Sequence, residues 1–173
     1  SAALNEGLFD LNEHIYCTGS RVVGNRKIRC WKSGGHGSQT FLEAIQNSCN
    51  CAFMELGRRL GTTKFYQYLD LYGMTKKTGI DLVGEGTPIV VKKENCNEVE
   101  LATQSFGQAS AYTPIELSMA AIASVNGGEL LKPYILKQLE TAGGEIVYEN
   151  KRVVKNEVIS KKTSDLMKYA LEC

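Results

Sequence analysis

Nowhere does this sequence string together the ~20 apolar residues that a membrane-spanning helix requires, so its 173 residues encode no span of that kind. An excess of one charge is missing as well: 20 Lys and Arg stand against 19 Asp and Glu, for a net charge of +1. A nucleic-acid or anionic-membrane binder carries a one-signed footprint, and its absence excludes nucleic acid as a partner. Only Arg21 to Lys32 is locally basic, which reads as a solvated loop, with an acidic ligand as the alternative. Internal repeats, low-complexity tracts and a leader peptide are also lacking, so Ser1 reads as a position inside a longer protein. Ser1 to Gly7 reads as the last turns of a helix closed by glycine. At the other end Ser160 caps a helix carrying Leu166, Met167, Ala170 and Leu171, which reaches Cys173 without a terminator. Further elements are expected beyond both ends.

What is there is ordinary globular composition, 43% hydrophobic and 23% charged, enough for one domain with a core. Thr40 with Glu43 forms a capping box, so a helix starts there. That helix is interrupted by Ser48-Cys49-Asn50 and resumes as Cys51 to Leu60, stopped by Gly61, and then as Thr63 to Leu71, stopped by Gly73. Ser and Asn bond locally to backbone and compete with helix. They can therefore serve as plain turn residues, or they can present polar groups to a cleft while Cys49 between them points away.

Before this, residues 8 to 37 hold short extended pieces (Ile15 to Cys17, Val22 to Val23, Ile28 to Trp31) separated by Gly19, Gly24 and a Gly34 to Gly37 turn. After it, Glu98 to Gln104 reads as helix. Thr113-Pro114-Ile115-Glu116 is a strong helix start with N-cap, proline and capping glutamate in order. The helix that follows carries Ile115, Met119, Ile122 and Val125 on one stripe and Ala120, Ala121 and Ser124 on another, which predicts burial on most sides until Asn126-Gly127-Gly128 ends it. Tyr134 to Leu139 and Ile146 to Tyr148, flanking Ala142-Gly143-Gly144, read as a β-hairpin.

Taken in order, Ser48-Cys49-Asn50, then Thr78-Gly79-Ile80-Asp81-Leu82 with Gly84-Glu85, then Ser105-Phe106-Gly107-Gln108, then Thr113-Pro114, then Asn126-Gly127-Gly128 with Pro133 resemble the transpeptidase domain of class B penicillin-binding proteins, the sporulation-specific members above all. The resemblance spans nearly the whole chain. It implies an α/β fold of the penicillin-binding protein and serine β-lactamase type, truncated at both ends. Residues 1–128 would form a mainly helical lobe carrying Ser-x-Asn, and residues 129–173 a hairpin and helix leading to a Lys-Thr-Gly strand beyond Cys173.

The resemblance further implies a serine D-Ala-D-Ala transpeptidase that cross-links peptidoglycan stem peptides through an acyl-enzyme and is acylated by β-lactams. Ser48 would join the proton relay, and Asn50 would hold the base and the substrate amide. The nucleophile of a Ser-x-x-Lys motif would lie upstream of Ser1, so this stretch alone is expected to be inactive. The parent protein would be anchored in the bacterial membrane by a segment outside this chain, act on its extracytoplasmic face and work with a glycan polymerase. Lys77-Thr78-Gly79 spells the third family motif, but it sits in a helix-to-loop turn and reads as a chance spelling. Ala109 stands where many relatives have the second glycine of Gly-Gln-Gly; if that glycine is left-handed, the loop differs here. A non-catalytic module binding stem peptides or partner proteins is the alternative. A β-lactamase-type sensor or hydrolase fits less well, because nothing nominates a deacylating base.

Six cysteines in a domain placed by resemblance outside the cytoplasm raise the question of disulfides. Cys17, Cys30 and His36 share one loop-rich segment, and Cys49 and Cys51 flank Asn50. Three thiols and an imidazole suit tetrahedral zinc. The reading is a structural zinc site of Cys17, Cys30, His36 and Cys51, since Cys49 as the middle of its triplet turns toward the helical core. A Cys17 to Cys30 disulfide and free buried thiols remain the alternatives. Cys96 and Cys173 read as unpaired, and His14 as a surface residue.

Overall fold

The computed structural model describes residues 1–172, so the reading of Cys173 lies outside the described residues. A short helix α1 (Ala2–Asn5) is followed by four strands, β1 (His14–Cys17), β2 (Ser20–Val23), β3 (Arg26–Arg29) and β4 (Gly37–Thr40), then α2 (Phe41–Gln46) and α3 (Asn50–Leu71). A single 3-10 turn at Lys93–Asn95 precedes α4 (Glu98–Ser105) and α5 (Pro114–Val125); β5 (Glu129–Leu131), β6 (Gln138–Glu140), β7 (Ile146–Glu149), β8 (Val154–Glu157) and α6 (Lys161–Glu172) complete the order. The strands pair antiparallel as β1 with β4, β2 with β3, β5 with β8, and β6 with β7. Among the described residues no helix is long and apolar enough to cross a membrane.

The helix starts form as read. Thr40, Asn97 and Thr113 each accept from the backbone of the residue three on, and Glu43, Glu100 and Glu116 each reach back to the cap. The β6–β7 hairpin also forms where read, although it covers only Gln138–Glu140 and Ile146–Glu149. Three strands are additions. β4 begins at the last residue of the expected Gly34 to Gly37 turn and runs on to Thr40 because β1 pairs with that edge, and β5 and β8 pair across a bulge. In α3 the expected break at Gly61 is a kink within one helix, with φ of 74°. Only glycine holds that left-handed value without a Cβ clash.

Two apolar clusters organise the molecule. The first gathers Phe9, Ile15, Phe41, Ala44 and Met54 with Met167 of α6. The second gathers Leu60, Tyr68 and Tyr72 with Met119, Ala123 and Leu130. Phe41 is fully buried, with the Phe9 ring 4.8 Å away and the Arg59 guanidinium 5.3 Å over its face. Burying such a ring contributes about 2–3 kcal/mol. The α5 stripe differs from the expectation: Glu116, Met119 and Ala123 are buried, whereas Ile122 and Val125 are exposed. The small Ala123 faces the neighbours, and the helix is rotated so that Ile122 and Val125 look outward while Ile115 still packs against the second cluster. On α6 likewise Met167 and Ala170 are buried but Leu171 is exposed.

A clasp closes the chain on itself. Asn5 donates to the Tyr68 hydroxyl, and its carbonyl oxygen accepts from the Ser160 backbone and the Thr163 hydroxyl, 155 and 158 residues away.

Beneath the first turns of α3 lies an ion network. Glu55, almost wholly buried, accepts from Arg21 at 2.7 Å, from Arg58 at 2.8 and 3.0 Å and from Arg59 at 3.0 Å. Arg59 also grips Glu13 at 2.7 and 3.1 Å. Arg21, the first residue of the basic run, is thus satisfied inside the molecule. The Arg58 hydrogen bonds, with those of Arg21 and Arg59, overcome burial and hold the Glu55 carboxyl down at about 2. Its folded value lies below the unfolded one, so its stabilisation is complete above the ordinary carboxylate range of about pH 4–5 and is lost as pH falls through about 2. Glu55→Gln is expected to cost about 2–3 kcal/mol, the worth of hydrogen bonds to a charged group. It should also flatten the acid limb of stability followed by urea unfolding between pH 2 and 6. An unchanged acid limb would remove Glu55 from that role.

Candidate functional site

α2 ends in a Schellman turn, in which the Ser48 amide donates to Ile45 O at 3.0 Å and the Cys49 amide to Ala44 O at 2.9 Å. This geometry places the residue after the C-cap in the left-handed region, normally glycine. The same pair of bonds closes α1 at Gly7, α3 at Gly73 and α4 at Gly107, all glycines with positive φ. At the end of α2 the position is Ser48, with φ of 47°. A serine there costs about 1–2 kcal/mol that glycine would spare. Its hydroxyl is exposed, Asn50 at the first position of α3 is half-buried, and Cys49 between them is fully buried. Asn50 Nδ2 donates to Arg29 O at 3.2 Å, and its carbonyl oxygen has no hydrogen-bond partner among the described residues. Asn47, the C-cap, donates to Gln39 Oε1 at 3.1 Å, so the buried Gln39 of β4 anchors the junction from below.

Under the junction four side chains converge. Cys17 on β1, Cys30 after β3, His36 before β4 and Cys49 bring three thiols and an imidazole nitrogen within 4.8 Å of one another. The β1–β4 register sets Cys17 opposite Gly37 and so beside His36. Gly35, at φ of 75°, lets the loop pass against Cys17; a Cβ there would lie 2.2 Å from the Cys17 carbonyl oxygen. The fourth member of the group is Cys49, where the sequence pointed to Cys51. Cys49 is the N-cap of α3 with extended backbone, ψ 108°, and this turns its side chain back under the loop rather than into the helical core. Cys51 lies beside Cys17 and is also buried. Cys17, Cys30 and His36 stand together as read.

The electrostatics favour a cation. Burial raises the Cys17 thiol, but the His36 backbone and side chain and the Gly19 amide donate to it and bring it down to about 6. Burial and the adjacent Cys17 push Cys49 up to about 11 and raise Cys51 further still. His36 Nδ1 lies 3.7 Å from Cys30 Sγ, while its Nε2 is buried with no hydrogen-bond partner among the described residues. Three buried thiols, the Cys17 one lowered by its neighbours, and a half-buried imidazole are donors of the type that suits tetrahedral zinc.

The remaining landmarks are structural where they lie. Thr78 and Gly79 donate to Glu85 from a loop, with Thr78 N at 2.6 Å, so Lys77-Thr78-Gly79 is not on a strand. The Asp81 carboxylate accepts from Ile135 and Leu136 at 2.7 and 2.9 Å. Beyond α4, Ala109 keeps a left-handed backbone with φ of 63° despite its Cβ, so the loop retains the glycine-type conformation under strain. Ala109→Gly is expected to raise stability by about 0.5–1 kcal/mol, the relief less the entropy glycine adds to the unfolded chain. Urea midpoints at equal m-value test this, and a lower midpoint refutes it. Cys96 is partly buried and unpaired, and His14 is exposed with Nδ1 3.3 Å from Ser38 Oγ. Gln39 and Trp31 are the site residues the sequence did not single out. Trp31 stood only as the end of an expected extended piece, and nothing marked the bonds it makes.

Residues 1–172 match the model of the penicillin binding protein transpeptidase domain. The chain is 45% identical over 174 residues to Stage V sporulation protein D of Bacillus subtilis, covering 99% of the chain and 27% of that protein. It is 30% identical over 122 residues to the peptidoglycan D,D-transpeptidase MrdA of Acinetobacter baumannii, covering 65% of the chain and 18% of that protein. Among solved structures, penicillin-binding protein 2X of Streptococcus thermophilus superposes with a TM-score of 0.87 at 28% identity, over 98% of this chain and 25% of that one. Penicillin-binding protein 3 of Mycobacterium tuberculosis, complexed with aztreonam, superposes with a TM-score of 0.89 at 23% identity, over 98% of this chain and 38% of that one. The chain thus spans about a quarter of the length of the curated relatives it matches.

Proposed function

The chain belongs to the penicillin-binding protein transpeptidase family, and we propose that it forms the Ser-x-Asn wall of a serine D,D-transpeptidase that cross-links peptidoglycan stem peptides. The observation that carries this is Ser48 at a left-handed turn where the three sister turns use glycine. Strain of this kind persists where a side chain is needed. In the complete enzyme a serine outside these residues attacks the carbonyl of the penultimate D-Ala. The C–N bond breaks, an ester forms, and the departing amine of the last D-Ala takes up a proton. Ser48 Oγ relays that proton from the lysine base to the leaving nitrogen. Asn50, its Nδ2 held by Arg29 O, turns its carbonyl oxygen to the base and substrate amide. The amine of a second stem peptide then attacks the ester and restores the serine. A β-lactam enters the same sequence with its strained amide and stalls at the ester.

Beneath this wall Cys17, Cys30, His36 and Cys49 hold a structural zinc ion, whose contribution is to tie β1, the β3–β4 loop and the α2–α3 junction to one point. Gln39 and Asn47 carry that fixed position to the backbone of Ser48. The same reading makes the complete protein an enzyme anchored in the bacterial membrane by a segment outside this chain, acting on the extracytoplasmic face beside a glycan polymerase in cell-wall or spore cortex synthesis; the likeness to Stage V sporulation protein D supports the sporulation role. Covalent labelling by a fluorescent penicillin, read by intact mass on the complete transpeptidase, tests the reading.

A further inference from the structure

Trp31 is the only tryptophan of the chain, and it is 64% exposed, so burial is not what it contributes. Its indole Nε1–H reaches two successive carbonyls, Asn47 O at 3.0 Å and Ser48 O at 3.1 Å. These belong to the C-cap of α2 and to the left-handed serine itself, and among the described residues no backbone amide reaches either. The other side of the clamp is equally defined: the indole meets the His36 ring edge-on, with centroids 5.3 Å apart at 70°. One donor thus satisfies the two orphan carbonyls that the turn creates, and the ring carrying it rests on the Cys–His group.

We propose that Trp31 is a positioning residue for acyl transfer: its indole N–H holds Ser48 in the left-handed conformation that turns the hydroxyl into the cleft. This rests on the transpeptidase reading above. Without the N–H, both carbonyls lose their partner and the strained serine is free to relax toward ordinary helix-end backbone, carrying its hydroxyl off line. The contact with His36 makes the same indole the path by which order in the Cys17 to His36 segment reaches the relay.

The test uses the complete transpeptidase carrying this chain, with Trp31→Phe, which keeps a ring and removes the donor. Penicillin acylation is resolved into the non-covalent dissociation constant and the acylation rate constant. The rate constant should fall about tenfold, the worth of one hydrogen bond at the site, with the dissociation constant within about twofold. In a Ser48→Ala background Trp31→Phe should add no further loss, because the group it positions is gone. A second arm reads the indole N–H by nuclear magnetic resonance, identified by its disappearance in Trp31→Phe; it should exchange with solvent at least about tenfold more slowly than a free indole. An unchanged acylation rate, losses that multiply in the double variant, or a freely exchanging N–H each overturn the proposal. A wild-type protein that takes no penicillin at all sinks the transpeptidase reading and the catalytic part of this one, while the exchange arm still decides whether the clamp exists.

Discussion

Ser48→Ala in the complete transpeptidase is expected to slow acylation by a fluorescent penicillin about 10²–10³-fold, the loss that follows removal of one transition-state contact. Asn50→Ala should match it. The left-handed backbone supplies an internal control. Alanine at φ of 47° carries the same strain as serine, whereas Ser48→Gly relieves it, so the glycine variant should be about 1 kcal/mol more stable than either. It should acylate as poorly as the alanine variant. Greater stability with lost labelling identifies the hydroxyl as the reason for the strained turn. If Ser48→Gly labels at the wild-type rate, Ser48 and Asn50 are plain residues of a helix junction, and a non-catalytic penicillin-binding module becomes the better description.

Protein purified without chelator is expected to carry one zinc per chain by elemental analysis. Cys49→Ser should abolish that content, while Cys51→Ser should keep it. At free zinc about a thousandfold above its dissociation constant the ion adds about 4 kcal/mol to stability, which is about 10 °C of melting temperature for a chain of this size. Chelation should remove that increment. The thiols must lose their protons to bind metal, so zinc affinity should fall, and the ion be released, as the solution is acidified. Metal retained in Cys49→Ser and lost in Cys51→Ser would restore Cys51 as the fourth ligand. Metal-free protein of unchanged melting temperature would leave a cluster of buried thiols and no metal centre.

Much of the helical part was legible because its signals are local. Thr40 with Glu43 and Thr113-Pro114 with Glu116 fix helix starts within four residues, and glycine at a left-handed turn fixes the ends. What was not legible depends on partners far off in sequence. β4, β5 and β8 are three or four residues long, too short for alternation to declare itself, and each exists because another edge pairs with it. The choice of Cys49 over Cys51 turns on one ψ angle at the N-cap of α3, which no residue type dictates. Arg21 looked like solvated charge because Glu55, its partner, lies 34 residues away. The family landmarks carried the order of the chain, but the work done by Trp31 and Gln39 follows from where their polar atoms end.

The Asn5 clasp also fixes when this protein can fold. A side chain in α1 waits for Ser160 and Thr163, which the ribosome adds 155 and 158 residues later. At about 5–20 residues per second, the first and last helices are separated by roughly 8–30 s of synthesis. Through that interval the Phe9 and Phe41 cluster has no Met167 to cover it. The nascent chain therefore passes through a window in which an apolar surface is complete on one side only, and slowing translation beyond residue 130 would lengthen its dependence on chaperones.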